Sequence, residues 1–233
     1  MSPPLPAKPS QPGPLPASLT LWHRFGLMLL GWGVVGVVYT ISGLQDPARA
    51  IHLAPGAIDR AIRFDPDAIW VYMSFFLIVP LGYLASAPAR AFWLCRSMIL
   101  SAIGAGIAYA LFPTTMSFPP VTGQSLSETA LRLLMANDTT VNCAPSLHVT
   151  LTALAVAALW RKDVSGGVSS AKAWLWNRAI LIWGGLILFS ILQLYRHQFI
   201  DLVTGLALAG LAGGLAWVFA RYLPPFARRK ALS

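Results

Sequence analysis

Six blocks of nearly uninterrupted apolar residues run through this 233-residue chain and restrict its fold more than any other feature. They are Leu21–Ser42, Ala68–Ala85, Phe92–Phe112, Ser146–Trp160, Ala179–Tyr195 and Phe199–Arg221. Stretches of about 17–25 such residues cross a bilayer as helices. Only helices or closed barrels satisfy every backbone polar group in hydrocarbon, and barrel strands would alternate polar with apolar residues. The predicted fold class is therefore all-α: a polytopic membrane protein whose core is a bundle of six transmembrane helices. Charged residues agree, at 11% of the chain against roughly 25% in soluble domains. The fourth block is short, ending at Trp160 before Arg161 and Lys162.

Basic residues set the orientation. Lys8, Arg24, Arg90, Arg96, Arg161, Lys162, Lys172, Arg178, Arg221, Arg228, Arg229 and Lys230 fall on one side, 12 of the 17 in the chain. Arg49, Arg60, Arg63, Arg132 and Arg196 fall on the other, with seven of the eight acidic residues. Both termini are expected in the cytoplasm of a cell whose plasma or inner membrane holds the protein. Trp22, Trp93, Trp160, Trp174, Trp176 and Trp217 crowd the same cytoplasmic side, as interfacial tryptophans do. The net charge of +9 is spread over helix ends, which suits anionic membrane lipids and leaves no nucleic-acid reading.

Three regions follow. Residues 1–20 read as a Pro-rich disordered cytoplasmic tail, 21–223 as the membrane domain, and 224–233 as a basic cytoplasmic tail. The first apolar block is long for a signal core and no cleavage site follows it, so it reads as a retained anchor. In the outer loops, Ile58–Phe64 and the segment after Ser125 read as interfacial helices. Ser125 and Glu128 have capping-box spacing, and Leu126, Ala130, Leu131, Leu133 and Leu134 supply an apolar face.

Some patterns are decoys. Gly31-Trp32-Gly33-Val34-Val35-Gly36 matches a dinucleotide fingerprint but lies inside an apolar block with no βαβ unit around it. Helix packing is the expected role of these glycines, and of Gly205, Gly210, Gly213 and Gly214. Cys95 and Cys143 fall at opposite ends of the bundle and are too far apart to pair.

The chemistry gathers at two histidines. Ala144-Pro145-Ser146-Leu147-His148 opens the fourth block, and Tyr195-Arg196-His197-Gln198-Phe199-Ile200-Asp201 opens the last. Ser146 suits a helix N-cap, and the unpaired amides of that first turn favour an anion, phosphate above all. Asp201 lies one helical turn beyond His197, where it can hold the Nδ1–H and leave Nε2 free to attack. His148 can exchange a proton near neutral pH, and Arg196 brings positive charge. Two histidines and one carboxylate leave too few clustered ligands for a metal, and no cofactor is called for. His23 and His52 lack such contexts and read as interfacial.

These motifs resemble the type 2 phosphatidic acid phosphatase superfamily, and within it the branch of the inositol phosphorylceramide synthases. Asn142-x-x-Pro145-Ser146-Leu147-His148-Val149 is similar to that branch's Pro-Ser-x-His motif. His197-x-x-x-Asp201-Leu202-Val203-Thr204-Gly205 is similar to its last motif, and Asp59-x-x-Ile62-Arg63-Phe64-x-Pro66 to a weaker one. The resemblance implies a phosphohistidine on His197 oriented by Asp201, and His148 as acid for the leaving group. It also implies a phosphate held by Ser146, Leu147, Asn142 and Arg196. Two of the family's arginines are replaced, by Phe118 and by Ile191. The expected function is a lipid phosphatase or head-group phosphotransferase with a lipid phosphate as substrate. The alternatives are a catalytically impaired lipid-binding or scaffold relative, and a transporter.

Overall fold

The computed structural model describes residues 18–161 and 168–222. The Pro-rich segment up to residue 17, Lys162 and the basic tail 224–233 lie outside the described residues. Helix α1 (Leu21–Ser42) is capped by Thr20, whose Oγ1 accepts the His23 amide at 3.3 Å. A loop with strand β1 (Ile51–His52) and helix α2 (Ala57–Ala61) leads to α3 (Ile69–Met73) and α4 (Phe75–Leu84). Then come α5 (Pro88–Leu111), strand β2 (Thr114–Thr115), α6 (Leu126–Asn137), α7 (Leu147–Leu159), α8 (Val168–Gln193) and α9 (Phe199–Tyr222).

The chain is an all-α membrane protein. Among the described residues, five helical stretches are long and apolar enough to cross a membrane: α1, Pro66–Leu84 (α3 and α4), α5, Ala171–Gln193 of α8, and Phe199–Arg221 of α9. The sixth expected span, α7, has only 13 residues. At 1.5 Å per residue it reaches about 20 Å, short of the roughly 30 Å hydrocarbon core. Its position accounts for its length. Helix α7 packs against α4, α5, α8 and α9, and buries residues around its circumference, from Val149 and Thr150 to Ala155 and Leu159. A helix apolar on every face belongs in a protein interior, where it need not match the lipid thickness.

Several boundaries differ from the sequence reading: α5 starts at Pro88 rather than Phe92, and the helix expected over Ile58–Phe64 covers Ala57–Ala61. The fifth helix starts at Val168 rather than Ala179, so Lys172 and Arg178 lie on a helix and not in a loop. Ala171-Lys172-Ala173 are strong helix formers, and polarity alone does not stop a helix at a membrane edge. The second span breaks at Ser74, whose amide turns back to the Val71 carbonyl at 3.1 Å while its Oγ accepts the Trp183 indole N–H at 2.8 Å. The break lets α3 pack on α6 and α8 while α4 packs on α1 and α7.

At the basic end, arginines close helix C-termini of neighbouring spans. Arg24 donates to the Tyr83 carbonyl at 2.5 Å and Arg90 to the Ala157 carbonyl at 2.9 Å, satisfying oxygens that a helix end leaves unpaired. Arg161 stacks on Trp176 and Arg221 on Trp217, at 4.1 and 3.7 Å from the ring centroids.

The opposite end carries the loops. Strands β1 and β2 pair in parallel, Ile51 with Thr114 and His52 with Thr115, and Asn142 bridges to Thr114. Strands of two residues have no readable periodicity, so this clasp leaves no mark in the linear pattern. The capping box before α6 is present as expected: Ser125 Oγ accepts the Glu128 amide, and Glu128 accepts the Ser125 amide at 3.0 Å. Leu126 and Leu133 on that helix are exposed.

Candidate active site

Ser146 caps α7, its Oγ accepting the Val149 amide at 3.4 Å. The turn before it is held from two sides. Tyr109 Oη donates to the Pro145 carbonyl at 2.6 Å, and the Ala144 amide donates to Thr114 Oγ1 at 2.8 Å. Leu147 is buried, and among the described residues the amides of Leu147 and His148 have no partner. Those are the free N–H groups that make a helix start attractive to an anion.

Helix α9 comes in beside this turn because residue 205 is glycine. A Cβ there would stand 2.6 Å from the Ser146 carbonyl oxygen, so no side chain fits. The α9 start is capped from a distant loop: Asp59 Oδ1 accepts the Phe199 amide at 2.7 Å. Just before it, Tyr195 adopts a left-handed φ of 49°, which costs a non-glycine residue of order 1 kcal/mol. Its Oη donates to the Ile62 carbonyl at 2.7 Å and its ring lies 5.4 Å from Phe64, which hold the turn in place. This turn points Arg196 inward and leaves His197 at the edge of a cavity among the loops.

The two histidines meet. Their ring centroids are 6.0 Å apart at 57°. His197 Nδ1 is 3.3 Å from Asp201 Oδ2, which also accepts the Gln198 amide at 2.9 Å; Asp201 is fully buried. His148 Nε2 pairs with Tyr72 Oη at 2.8 Å, and its Nδ1 is buried without a partner. Tyr39 and Phe75 flank the same imidazole edge-on, with centroids at 6.2 and 4.9 Å.

Arg196 is 5% exposed and pairs with Asp138 at 2.7 Å, while the other Asp138 oxygen accepts the Tyr39 hydroxyl. Burial opposes the charge on Asp138, yet His148, Arg196 and the Tyr39 hydrogen bond together hold its carboxyl below the usual carboxylate range. The guanidinium also lies over the Phe118 ring, 4.6 Å from its centroid. Arg132 is occupied with the Gly123 carbonyl and Thr129, and Arg60 donates to the Pro55 carbonyl at the rim of a cavity among the loops. Arg63 is exposed.

The resemblance implies Asn142 as a phosphate ligand; its side-chain amide accepts the Thr139 hydroxyl and donates to the Tyr39 carbonyl at 3.5 Å, which also braces the loop. Conversely, Tyr39, Tyr72 and Asp138 are not legible in the sequence as site residues, and Asp59 enters only through the weaker motif, because their partners lie 58 residues or more away along the chain. Of the fingerprint glycines, only Gly31 makes a close approach, where a Cβ would stand 2.3 Å from Tyr83 Oη; Gly33 and Gly36 have nothing within 4 Å. Among the described residues, no group of three or more His, Cys, Asp and Glu is arranged to hold a metal ion. Cys95 and Cys143 are free thiols, both buried.

Two cavities adjoin the histidine pair. One of about 490 Å³ is lined by His197, Gln198, Tyr195, Phe118, Arg60 and neighbouring prolines of the loops. A second of about 250 Å³ reaches His148 between α1, α3, α4, α6 and α7.

Comparison with protein-family models, curated proteins and solved structures finds no match. A group lodged between the imidazoles meets a free Nε2 on one side and a second imidazole on the other. A buried guanidinium and two unpaired amides lie nearby.

Proposed function

We propose that the protein is a membrane-embedded lipid phosphatase or head-group phosphotransferase, a divergent relative of the type 2 phosphatidic acid phosphatases. One observation carries this reading: His148 and His197 face each other at 6.0 Å with His197 Nδ1 turned to buried Asp201. In this reading α7 is the sixth span, enclosed by the others. The basic end is cytoplasmic, and the histidine pair opens on the outer side of a plasma or inner membrane.

His197 Nε2 attacks phosphorus, forming an N–P bond as the ester P–O bond breaks. His148 gives its proton to the departing lipid oxygen. Asp201 holds the Nδ1–H and stabilises the charge the ring acquires. Arg196 and the Leu147 and His148 amides stabilise the phosphoryl oxygens. In the second half, His148 takes a proton from water or an acceptor alcohol. The resulting oxygen attacks phosphorus, the N–P bond breaks, and phosphate or a new phosphoester leaves. The residues call on no metal or cofactor.

A non-catalytic lipid-binding or scaffold protein is the second reading, favoured by the pairing of Arg196 with Asp138 and by Phe118 and Ile191. The deciding experiment offers the purified protein a panel of lipid phosphates, with and without chelator and with alcohol acceptors. Phosphate release marks a phosphatase, and head-group exchange without release a transferase. Lipid binding without either supports the second reading.

A further inference from the structure

The 250 Å³ cavity at His148 is mostly apolar, with Trp32, Phe75, Phe76 and Leu151 among its walls, and it opens beside Gly36 of α1. Gly36 is exposed, and a Cβ there would meet nothing within 4 Å. Glycines in apolar spans ordinarily admit a neighbouring helix, as Gly31 does against Tyr83 and Cys95. Gly36 admits none. What its missing side chain leaves is the mouth of a slot that faces away from the bundle and ends on an imidazole. Phe76, at the same mouth, is 43% exposed.

We propose that Gly36 is a specificity-determining residue: its lack of a side chain keeps open a slot for the hydrocarbon adjoining the ester oxygen of a lipid phosphate. This rests on the phosphoryl-transfer reading. In an in-line displacement the leaving oxygen departs opposite the attacking atom. With His197 attacking, that oxygen lies on the His148 side, and whatever it carries must occupy the space next to His148. That space is the slot. At about 30 Å³ for a water-sized group, the slot of about 250 Å³ holds roughly the first eight methylenes. The rest of the chain runs out past Gly36 along the exposed face formed by Val37 and Phe76.

The test compares Gly36→Phe with Gly33→Phe in the full-length protein. Gly33 is equally exposed and unobstructed but lines neither cavity. Turnover is measured on dodecyl phosphate, phosphatidic acid and acetyl phosphate, whose leaving group is too small to need the slot. Gly36→Phe is expected to lower kcat/KM for both lipids at least tenfold, chiefly through KM, and to leave acetyl phosphate turnover unchanged; Gly33→Phe changes none of these. Equal losses on lipids and acetyl phosphate, or equal effects of the two variants, overturn the proposal. A wild type inert on all three substrates overturns the phosphoryl-transfer reading instead. In that case retention of dodecyl phosphate by native mass spectrometry decides the slot: loss only in Gly36→Phe supports it, and equal retention in both variants overturns it.

Discussion

The Ser146 amide donates to the Asp201 carbonyl at 3.2 Å, joining the first turns of the two helices that carry the histidine motifs. Thr150 Oγ1 repeats the link one turn further in, donating to the Gly205 carbonyl at 2.9 Å. The separation of His148 from His197 is set by these contacts and by the glycine between them.

Gly205→Ala should therefore disturb both fold and site. The added methyl meets a backbone oxygen, which cannot rotate away. Overpacking of this kind typically costs about 1–3 kcal/mol. A lower Tm in detergent with a matching loss of turnover is expected, and a variant with wild-type Tm and rate would contradict the role given to this contact.

His197 and His148 should separate by leaving group. His197→Ala deletes the attacking nitrogen and should abolish turnover and phosphoenzyme together. His148→Ala removes the acid, a contribution of about 10²–10⁴-fold, so lipid esters should lose far more rate than aryl phosphates. Asp201→Asn should fall between, because an amide can hold the ring but favours the wrong tautomer. Lipid turnover unchanged in His197→Ala would disprove the assignment.

Asp138→Asn should weaken the fold in a pH-dependent way. Breaking a buried ion pair from one side costs about 3–5 kcal/mol. The folded carboxyl titrates below its unfolded value of about 3.9. Its stabilisation is therefore full above that value and lost as pH falls through the folded one. The Tm difference between wild type and Asp138→Asn should be largest near pH 7 and shrink below about pH 4. A difference equal at pH 3 and pH 7 would argue against a charged pair.

Orientation needs introduced thiols. Cys143 is buried and its thiol is pushed up to about 12, first by burial and then by Asp201, so it is a poor target for a thiol reagent. Gln124→Cys and Ala171→Cys are both at exposed positions, at opposite ends of the bundle. An impermeant maleimide should label Gln124→Cys in intact cells and Ala171→Cys only after permeabilisation. The reverse pattern would invert the topology.

Much of this protein is legible in its residues taken in order. Long apolar blocks demand membrane-spanning helices because unsatisfied amides are intolerable in lipid. Ser125 and Glu128 announce the start of α6 by a local exchange of hydrogen bonds, and the four-residue spacing of His197 and Asp201 brings them together, with His197 at the bend just before α9 rather than on it. Each of these rests on contacts within a few residues, which a linear pattern records. The break at Ser74 depends on Trp183, and the central place of α7 on four helices around it. The pairing of Arg196 with Asp138 spans 58 residues and that of His148 with Tyr72 spans 76. Such partners are chosen when helices pack, since any buried charge or imidazole must find whatever donor or acceptor the neighbouring helix brings. The sequence by itself determined a helical membrane protein with two histidine motifs at helix starts. Only the tertiary structure decided that the histidines face each other, that Asp138 holds Arg196 beside them, and that Gly36 opens onto His148.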